Sequence, residues 1–404
     1  MGRVIVQKYG GTSVGSPERI LCVAHRVKGY IDKGDNVVVV VSAMSGETNR
    51  LVALGEDVWG QQFNHSELDV LYSSGEQVTV ALVSLALEKI GVKAKSFLAD
   101  QIPLRTDEEF GKARIIEIGK ESLEQAIISG IVPVVAGFQG STTDGRITTL
   151  GRGGSDTSAV ALAAALDADE CEICTDVDGV YTADPRIIKK ASRLDQITFE
   201  EMLELASLGS KVLHPRSVEL AGRHKVPLRV VSTFDEGPGT LISFDGDNME
   251  GAVVSGIAHA SDEAKITIEG VPDIPGVASK IISPVSAANI DVDMIVQNTS
   301  AEGLTDFTFT VKRPDFDEAL ALLRSVSKDI GAREVSGDPQ ISKVSVVGVG
   351  MRSHAGVASR VFDALARENI NIQMISTSEI KISVVVDEKY TELAVRSLHE
   401  EFDL

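Results

Sequence analysis

The sequence predicts an α/β protein: an α/β/α sandwich on a mainly parallel sheet, followed by two small ferredoxin-like βαββαβ modules. Three observations carry this. Short continuous apolar runs alternate with helical stretches over residues 1–232, glycine-rich turns join strand ends to helix starts, and the segment beginning at Gly276 returns at Gly356. Continuous apolar runs suit strands covered on both faces, as in parallel sheets.

The elements follow in order. "RVIVQ" (3–7), "NVVVVVSA" (36–43), "IVPVVAGF" (131–138), "CEICTD" (171–176) and "PLRVVS" (227–232) read as strands. A helix starts after Ser16-Pro17-Glu18, with Ser as N-cap and Pro in the first turn. Further helices are expected near 67–90, 155–166 and 214–224. "STTDGRITT" (141–149) carries Asp-Gly, a hairpin turn signal. Around 235–250 Gly, Asp and Pro accumulate, as in a linker or domain edge. Beyond it, "GVASKIISPVSAANIDVDMI" (276–295) and "GVASRVFDALARENINIQMI" (356–375) share eight of twenty positions. A strand pattern precedes each copy, "AKITIEGV" and "SKVSVVGV", so the tail is one small module duplicated. The expected boundaries are a first domain at 1–245, a linker at 246–262, and modules at 263–337 and 338–404.

Composition narrows the function classes. The chain has 404 residues and a net charge of −20, with 43% hydrophobic and 24% charged residues. That is an ordinary soluble composition, and the acidic balance argues against nucleic acid or an anionic membrane as partner. No apolar run reaches the ~18 residues of a membrane helix. The start, "MGRVIVQK", lacks a signal peptide's apolar stretch, and Val6 stands where N-myristoylation needs Ser or Thr. A cytoplasmic location is expected. Three cysteines, Cys22, Cys171 and Cys174, do not make a disulfide framework. Cys171 and Cys174 have redox spacing but lie in a strand, and are expected as buried structural thiols. The seven histidines show no metal-ligand spacing.

Two glycine loops carry the chemistry. In "VQKYGGTSVGSPERI" (6–20) Lys8 precedes Gly10 and Gly11 between a strand and a helix. It is neither a Walker A loop, whose Lys follows the glycines, nor a dinucleotide fingerprint, since Thr12 replaces the second Gly. Taken alone, the loop is either a phosphate cradle with Lys8 aimed into it or a plain strand-to-helix turn. "TTLGRGGSDTSAVALAAAL" (148–166) presents three glycines, Arg152, Ser155 and Asp156 before an Ala-rich helix. An anion can sit at such a helix start, and the arginine fork suits carboxylate or phosphate. The alternative is a helix capped by Ser155 or Asp156 beside a salt-bridged arginine. Together the loops look like a phosphate-donor site facing an acceptor site. "TDVDGVYTADPR" (175–186), rich in turn formers after a strand, could clasp a nucleoside.

The order of "KYGGTSVG", "VSAMSGETNRL", "SSGEQ", "TTLGRGGSD", "TDVDGVYTADPR" and "GSKVLHPRS" resembles the amino-acid kinase family, in its aspartate kinase branch. The resemblance covers essentially the whole chain, and the duplicated tail resembles tandem ACT domains. One departure is "SHAGVA" (353–358), with Ala355 where relatives often carry proline, which implies a less rigid loop there. The resemblance implies transfer of phosphate from ATP, with Mg²⁺, to the side-chain carboxylate of L-aspartate, at the head of lysine, threonine and methionine synthesis. A carboxylate acceptor is already ionised at pH 7, so no general base is needed, in keeping with the lack of a His-centred cluster. Catalysis is then positioning and charge neutralisation.

By resemblance, Lys8 bridges the transferring phosphoryl while Gly10 and Gly11 admit the β- and γ-phosphates, with Tyr9 beside them. Arg152 holds the α-carboxylate, with Gly153 and Gly154 in its loop. Glu76 pairs with the α-ammonium or orders the lysine; taken alone it reads as a solvated carboxylate at a helix start. Ser42, Thr48 and Ser155 are hydroxyl donors near the acceptor, Ser42 and Ser155 also touching the nucleotide. Thr175, Asp176, Tyr181, Arg186 and Lys211 belong to the nucleotide side. Asp156 either approaches the metal or caps its helix; no other metal ligand is expected. In the tail, Asp273, Ile274, Pro275, Gly276 and Ala278, then Asn289, Ile290, Asp291 and Gln297, line an effector pocket, with Asn371, Ile372 and Ser378 in the second module. Met294 and Met374 are expected in the core. Threonine, lysine or both are the expected effectors, and a homodimer or larger oligomer through the ACT domains is expected. The competing readings are an acetylglutamate, glutamate or uridylate kinase of the same fold, and a catalytically dead amino-acid sensor. A fused dehydrogenase is not expected.

Overall fold

The computed structural model describes residues 2–60, 65–210, 212–244, 253–299 and 303–404. The chain forms two compact units. The first holds Met1–Val180, Arg193–Ser207 and Lys211–Met249; the second holds Tyr181–Ser192, Leu208–Ser210 and Glu250–Leu404.

In the first unit the chain runs β1 (Val4–Tyr9), α1 (Pro17–Asp32), β2 (Asn36–Val41), α2 (Glu47–Trp59), α3 (His65–Lys89), β3 (Ala94–Phe97), β4 (Leu104–Thr106), β5 (Ile115–Ile118), α4 (Glu121–Ile128), β6 (Val132–Ala136), β7 (Gln139–Ser141), β8 (Ile147–Thr149) and α5 (Gly154–Ala165). It continues through β9 (Glu170–Thr175), β10 (Gln196–Thr198), α6 (Phe199–Ser207), α7 (Pro215–His224), β11 (Leu228–Ser232) and β12 (Thr240–Ser243). Eight strands form one sheet in the order β10-β12-β11-β9-β1-β2-β6-β3. Every neighbouring pair is parallel except β11 with β12. The apolar run of β2 explains itself here: Val37 to Val41 are all buried, because helices cover both faces. Ser16 caps α1, its hydroxyl accepting from Arg19 N, with Pro17 in the first turn. β7 and β8 form the expected hairpin around Gly145, at φ +86. Cys171 and Cys174 are buried free thiols, and burial pushes Cys174 up to about 12.

α3 is long and apolar enough by composition to cross a membrane. Its buried Asp69 and Glu76 accept hydrogen bonds from Gly111, Thr149 and Ala43, as befits a core helix.

The second unit runs β13 (Gly256–Pro272), α8 (Val277–Ala287), β14 (Val292–Thr299), β15 (Leu304–Lys312), α9 (Phe316–Val326), β16 (Glu334–Val347), α10 (Val357–Arg367), β17 (Met374–Thr377), β18 (Lys381–Asp387) and α11 (Thr391–Glu401). Its six strands order as β14-β15-β13-β16-β18-β17. β13 and β16 are long enough to serve both repeats. Ile257 pairs with Val346, beside β18, whereas Ile266 pairs with Phe309 of β15. The register shifts between Ala260 and Glu263, where β13 passes from one repeat to the other. Gly256–Asp262, expected as the end of a linker, are therefore strand; the rest of that linker lies mostly outside the described residues. At the shift, buried Glu263 meets Lys312 at 2.8 Å and Lys343 at 3.7 Å, and Asp293 pairs with Lys343.

The repeat identities have backbone causes. Gly276 and Gly356 stand before α8 and α10 at φ +90 and +93, and Asn289 and Asn369 follow those helices at +60 and +54. Glycine and asparagine tolerate this left-handed region best. Each repeat has its own core, one around Ile266, Ile281 and Phe309, the other around Val346, Val361 and Val384. Ala183 and Ile188 belong to the second of these cores.

Candidate active site

Loops after β1, β2, β6 and β9 lie at the carboxyl ends of parallel strands, where α/β sheets bind ligands. One cavity there, of about 650 Å³, gathers Lys8, Gly11, Ser42, Thr48, Glu76, Arg152, Gly153, Gly154, Ser155 and Asp156. Ten expected residues from four separate motifs thus share one pocket.

The glycine turn is built around the lysine. A Cβ on Gly10 would lie 3.4 Å from Lys8 Nζ, and one on Gly11 would lie 2.9 Å from the carbonyl oxygen of Ala43. At Gly11 only glycine lets the backbone approach so closely, whereas the Gly10 contact with the lysine is an ordinary one. Lys8 Nζ is ion-paired with Asp156 at 2.6 Å, so the ammonium is held at the start of α5. That start is left-handed: Gly151 has φ +76 and Gly153 has φ +69. Gly153 is the N-cap and makes no side-chain cap bond, so neither Ser155 nor Asp156 caps the helix as one reading expected. Gly154 N donates to the Gly151 carbonyl at 2.9 Å, which leaves the Ser155 and Asp156 amides of the first turn to meet an anion. A Cβ on Gly153 would fall 2.3 Å from His214 Cβ.

Arg152 is exposed, and no carboxylate pairs with it among the described residues, so the salt-bridge reading does not hold. Glu76 is not a solvated helix-start carboxylate. It stands midway along α3 and is 3% exposed. Its Oε1 accepts from Ala43 N at 2.8 Å, and its buried Oε2 has no hydrogen-bond partner. Burial pushes its pKa up to about 7. Lys8 is held by Asp156, so Glu76 does not order it here.

Other expectations fall elsewhere. Tyr9 is fully buried in the core, its hydroxyl donating to Gln7 Oε1 at 3.0 Å, so its ring cannot reach a nucleotide. Thr175 and Asp176 bond each other at 3.1 Å at the end of β9. Tyr181 and Arg186 belong to the second unit, Arg186 pairing with Asp184 at 2.6 Å. Lys211 lies outside the described residues. In the second unit Asp273, Ile274, Pro275, Gly276, Asn289, Asp291, Gln297, Asn371 and Ser378 are exposed, Ala278 and Ile372 partly so. Ile290 is in the core, because its side chain follows the apolar face of the module. Met294 and Met374 pack together in a small cluster with Ile341 and Val385, as expected.

Sequence reasoning missed several residues. Phe138 lines the pocket at φ +68, a strained conformation for a non-glycine residue. Tyr72 lines it too. Asp69 and Arg216 hold its walls without lining it. Only Arg216 carried a signal, as part of the "HPRS" motif.

Comparison with known proteins settles the family. A family model described as the amino acid kinase family matches residues 3–232, and ACT-domain models match 266–328 and 344–402. The chain belongs to the amino acid kinase family. The chain is 62% identical over 402 residues to an aspartate kinase of Stutzerimonas stutzeri, covering 99% of this chain and 97% of that one. It is 62% identical to an aspartokinase of Pseudomonas aeruginosa, covering 99% and 98%. Aspartokinase III of E. coli in complex with aspartate and ADP superposes with a TM-score of 0.84 at 28% identity, covering 99% and 100%. The same protein with lysine and aspartate gives 0.78 at 28% identity, covering 99% of each. This family member is a kinase of the aspartate kinase type, an α/β fold with two C-terminal ACT domains.

Proposed function

We propose that the chain transfers the γ-phosphoryl group of ATP to the side-chain carboxylate of L-aspartate, giving 4-phospho-L-aspartate, the first step toward lysine, threonine and methionine. One observation carries the reading: a single pocket holds complements to every charge of this pair of substrates. Lys8 and the open amides of α5 suit the phosphates, Arg152 suits an α-carboxylate, and the unpartnered oxygen of Glu76 suits an α-ammonium. Binding of aspartate and ADP by the E. coli relative supports it.

The chemistry asks little else. The attacking carboxylate is ionised at neutral pH, with an ordinary pKa of ~3.9, and needs no base. The obstacle is repulsion between two anions. Lys8 releases Asp156 and turns to the transferring phosphoryl, where its charge offsets what accumulates in the loose transition state. Mg²⁺ would enter on the nucleotide's oxygens. Among the described residues no group of three or more acidic, Cys or His side chains could hold a metal, and Asp156 is the one carboxylate beside the phosphate site. The metal would supply charge neutralisation when bound, and Asp156 is placed to hold it.

Feedback control by lysine, threonine or both is part of the proposal, acting on the ACT pair. Lysine bound with aspartate in the second E. coli structure supports it. Assembly through the ACT domains is supported by two open sheet edges, β14 and β17, which expose Ile295 (52%) and Ile375 (43%) at matching repeat positions. Unpaired cysteines suit the reducing cytoplasm. The test is trapping of the acyl phosphate with hydroxylamine, using aspartate, glutamate, acetylglutamate and UMP in turn, then adding each end product. Hydroxamate from aspartate, suppressed by lysine or threonine, is expected. Preferential turnover of another acceptor overturns the reading.

A further inference from the structure

Building on the aspartate reading above, we propose that Asp69 and Arg216 are positioning residues. They form a two-charge clamp that holds the Arg152 loop at a set distance from Glu76, and so select an α-amino acid as acceptor.

The loop from Gly151 to Gly154 contains three glycines, two in left-handed conformations. Glycines lose the most freedom on ordering, so such a loop keeps one shape only if its ends are held. Both ends are. Asp69 Oδ2 accepts from Gly111 N at 2.9 Å and Thr149 N at 2.7 Å, while Oδ1 accepts from Thr149 Oγ1 at 2.7 Å. Arg216 donates from Nη1 to the Leu150 carbonyl at 2.6 Å and from Nη2 to the Ala113 carbonyl at 2.7 Å. A backbone bond from Ala113 N to the Thr149 carbonyl, at 2.9 Å, joins the two gripped segments. The anion takes the N–H groups and the cation takes the carbonyls of the same pair of segments, the β4–β5 connection and the end of β8 immediately before Gly151.

The two charges are matched to their places. Asp69 is completely buried, and all its bonds are accepted from donors, so its negative charge is fully used there. Neither residue lines the pocket, whereas Gly111, Thr149 and Gly151 do. Asp69 and Glu76 lie seven residues apart on α3, two turns along one face, a rise of ~10 Å at 1.5 Å per residue. One rigid helix thus carries both the carboxylate that meets the ammonium and the carboxylate that fixes the loop bearing the α-carboxylate's arginine.

The experiment uses the full chain with Asp69→Asn, Arg216→Lys and the milder Thr149→Val, which removes only the hydroxyl bond. Rates are measured with aspartate and ATP varied separately, and amide hydrogen exchange is followed over residues 148–156. For Asp69→Asn and Arg216→Lys the aspartate KM should rise about tenfold or more, given how steeply misplacement costs rate, while the ATP KM stays within about twofold. Exchange over 148–156 should quicken in all three variants. A parallel rise of both KM values, or unchanged exchange in a less stable protein, overturns the clamp and leaves a merely structural role. If the wild type does not phosphorylate aspartate, the aspartate reading falls by itself, and the exchange data still decide whether the clamp exists.

Discussion

Replacing Glu76 with Gln should stabilise the free protein at alkaline pH while weakening its use of aspartate. Burial holds the Glu76 carboxyl at about 7 against an ordinary 4.5. That displacement corresponds to about 3 kcal/mol against the ionised form in the empty pocket. The sign follows from proton binding. Between pH 4.5 and about 7 the folded chain binds a proton that the unfolded chain has released, so stability falls as pH rises through this window. Below it the carboxyl is neutral in both states, and above it the whole cost is present. Glutamine does not titrate and can still accept from Ala43 N. The advantage of Glu76→Gln, read from urea unfolding without ligands, should therefore grow by about 2–3 kcal/mol from pH 5 to pH 8. In the wild type, kcat/KM for aspartate should climb with pH, reach half its maximum near 7 and level off about one unit above, because the free enzyme must ionise Glu76 to meet the ammonium. In the variant it should be low and flat over the same range. An advantage that does not change with pH, or a wild-type profile flat from 5.5 to 8, refutes the reasoning.

Lys8→Ala should lower kcat by about 10²–10³ in a chain that still folds, because in the proposed reaction the ammonium at the glycine turn meets the transferring charge; a variant with kcat within about twofold of wild type overturns the role. Arg152→Lys keeps the charge and loses the fork, so the aspartate KM should rise more than the ATP KM in steady-state assays; the reverse order would move Arg152 to the nucleotide side. Asp273→Ala, on the exposed turn before α8, should weaken inhibition by lysine or threonine with little change in uninhibited kcat. Inhibition that stays intact and competes with aspartate would put the effector in the active-site pocket.

Much of this architecture was legible because its causes are local. Strands covered on both faces read as unbroken apolar runs, and β1, β2, β6, β9 and β11 each lie where such a run occurs. Glycines forced by close approach or left-handed backbone mark Gly11, Gly151 and Gly153. What escaped depends on distant partners. Asp69 reads as an ordinary acid near the start of a helix, and only the fold brings Gly111 and Thr149 to it. Tyr9 alternates with Lys8 along β1, so the pleat that aims the lysine at the loop turns the ring into the core. The dual service of β13 and β16 was hidden because pairing partners, not composition, decide where one repeat ends.

The excursion of Tyr181–Ser192 into the second unit means that this chain has no clean place to be cut. A fragment ending near residue 244 would carry Ala183 and Ile188, 4% and 6% exposed in the whole protein, with the core that shelters them gone. The complementary fragment would lose the Thr182 carbonyl that receives Ile257 N at 2.7 Å, and the Thr182 hydroxyl 3.0 Å from the buried ring of His399. Each half would thus be born with a wound in its interior, because the segment that completes the second core is spelled out in the middle of the first unit's sequence.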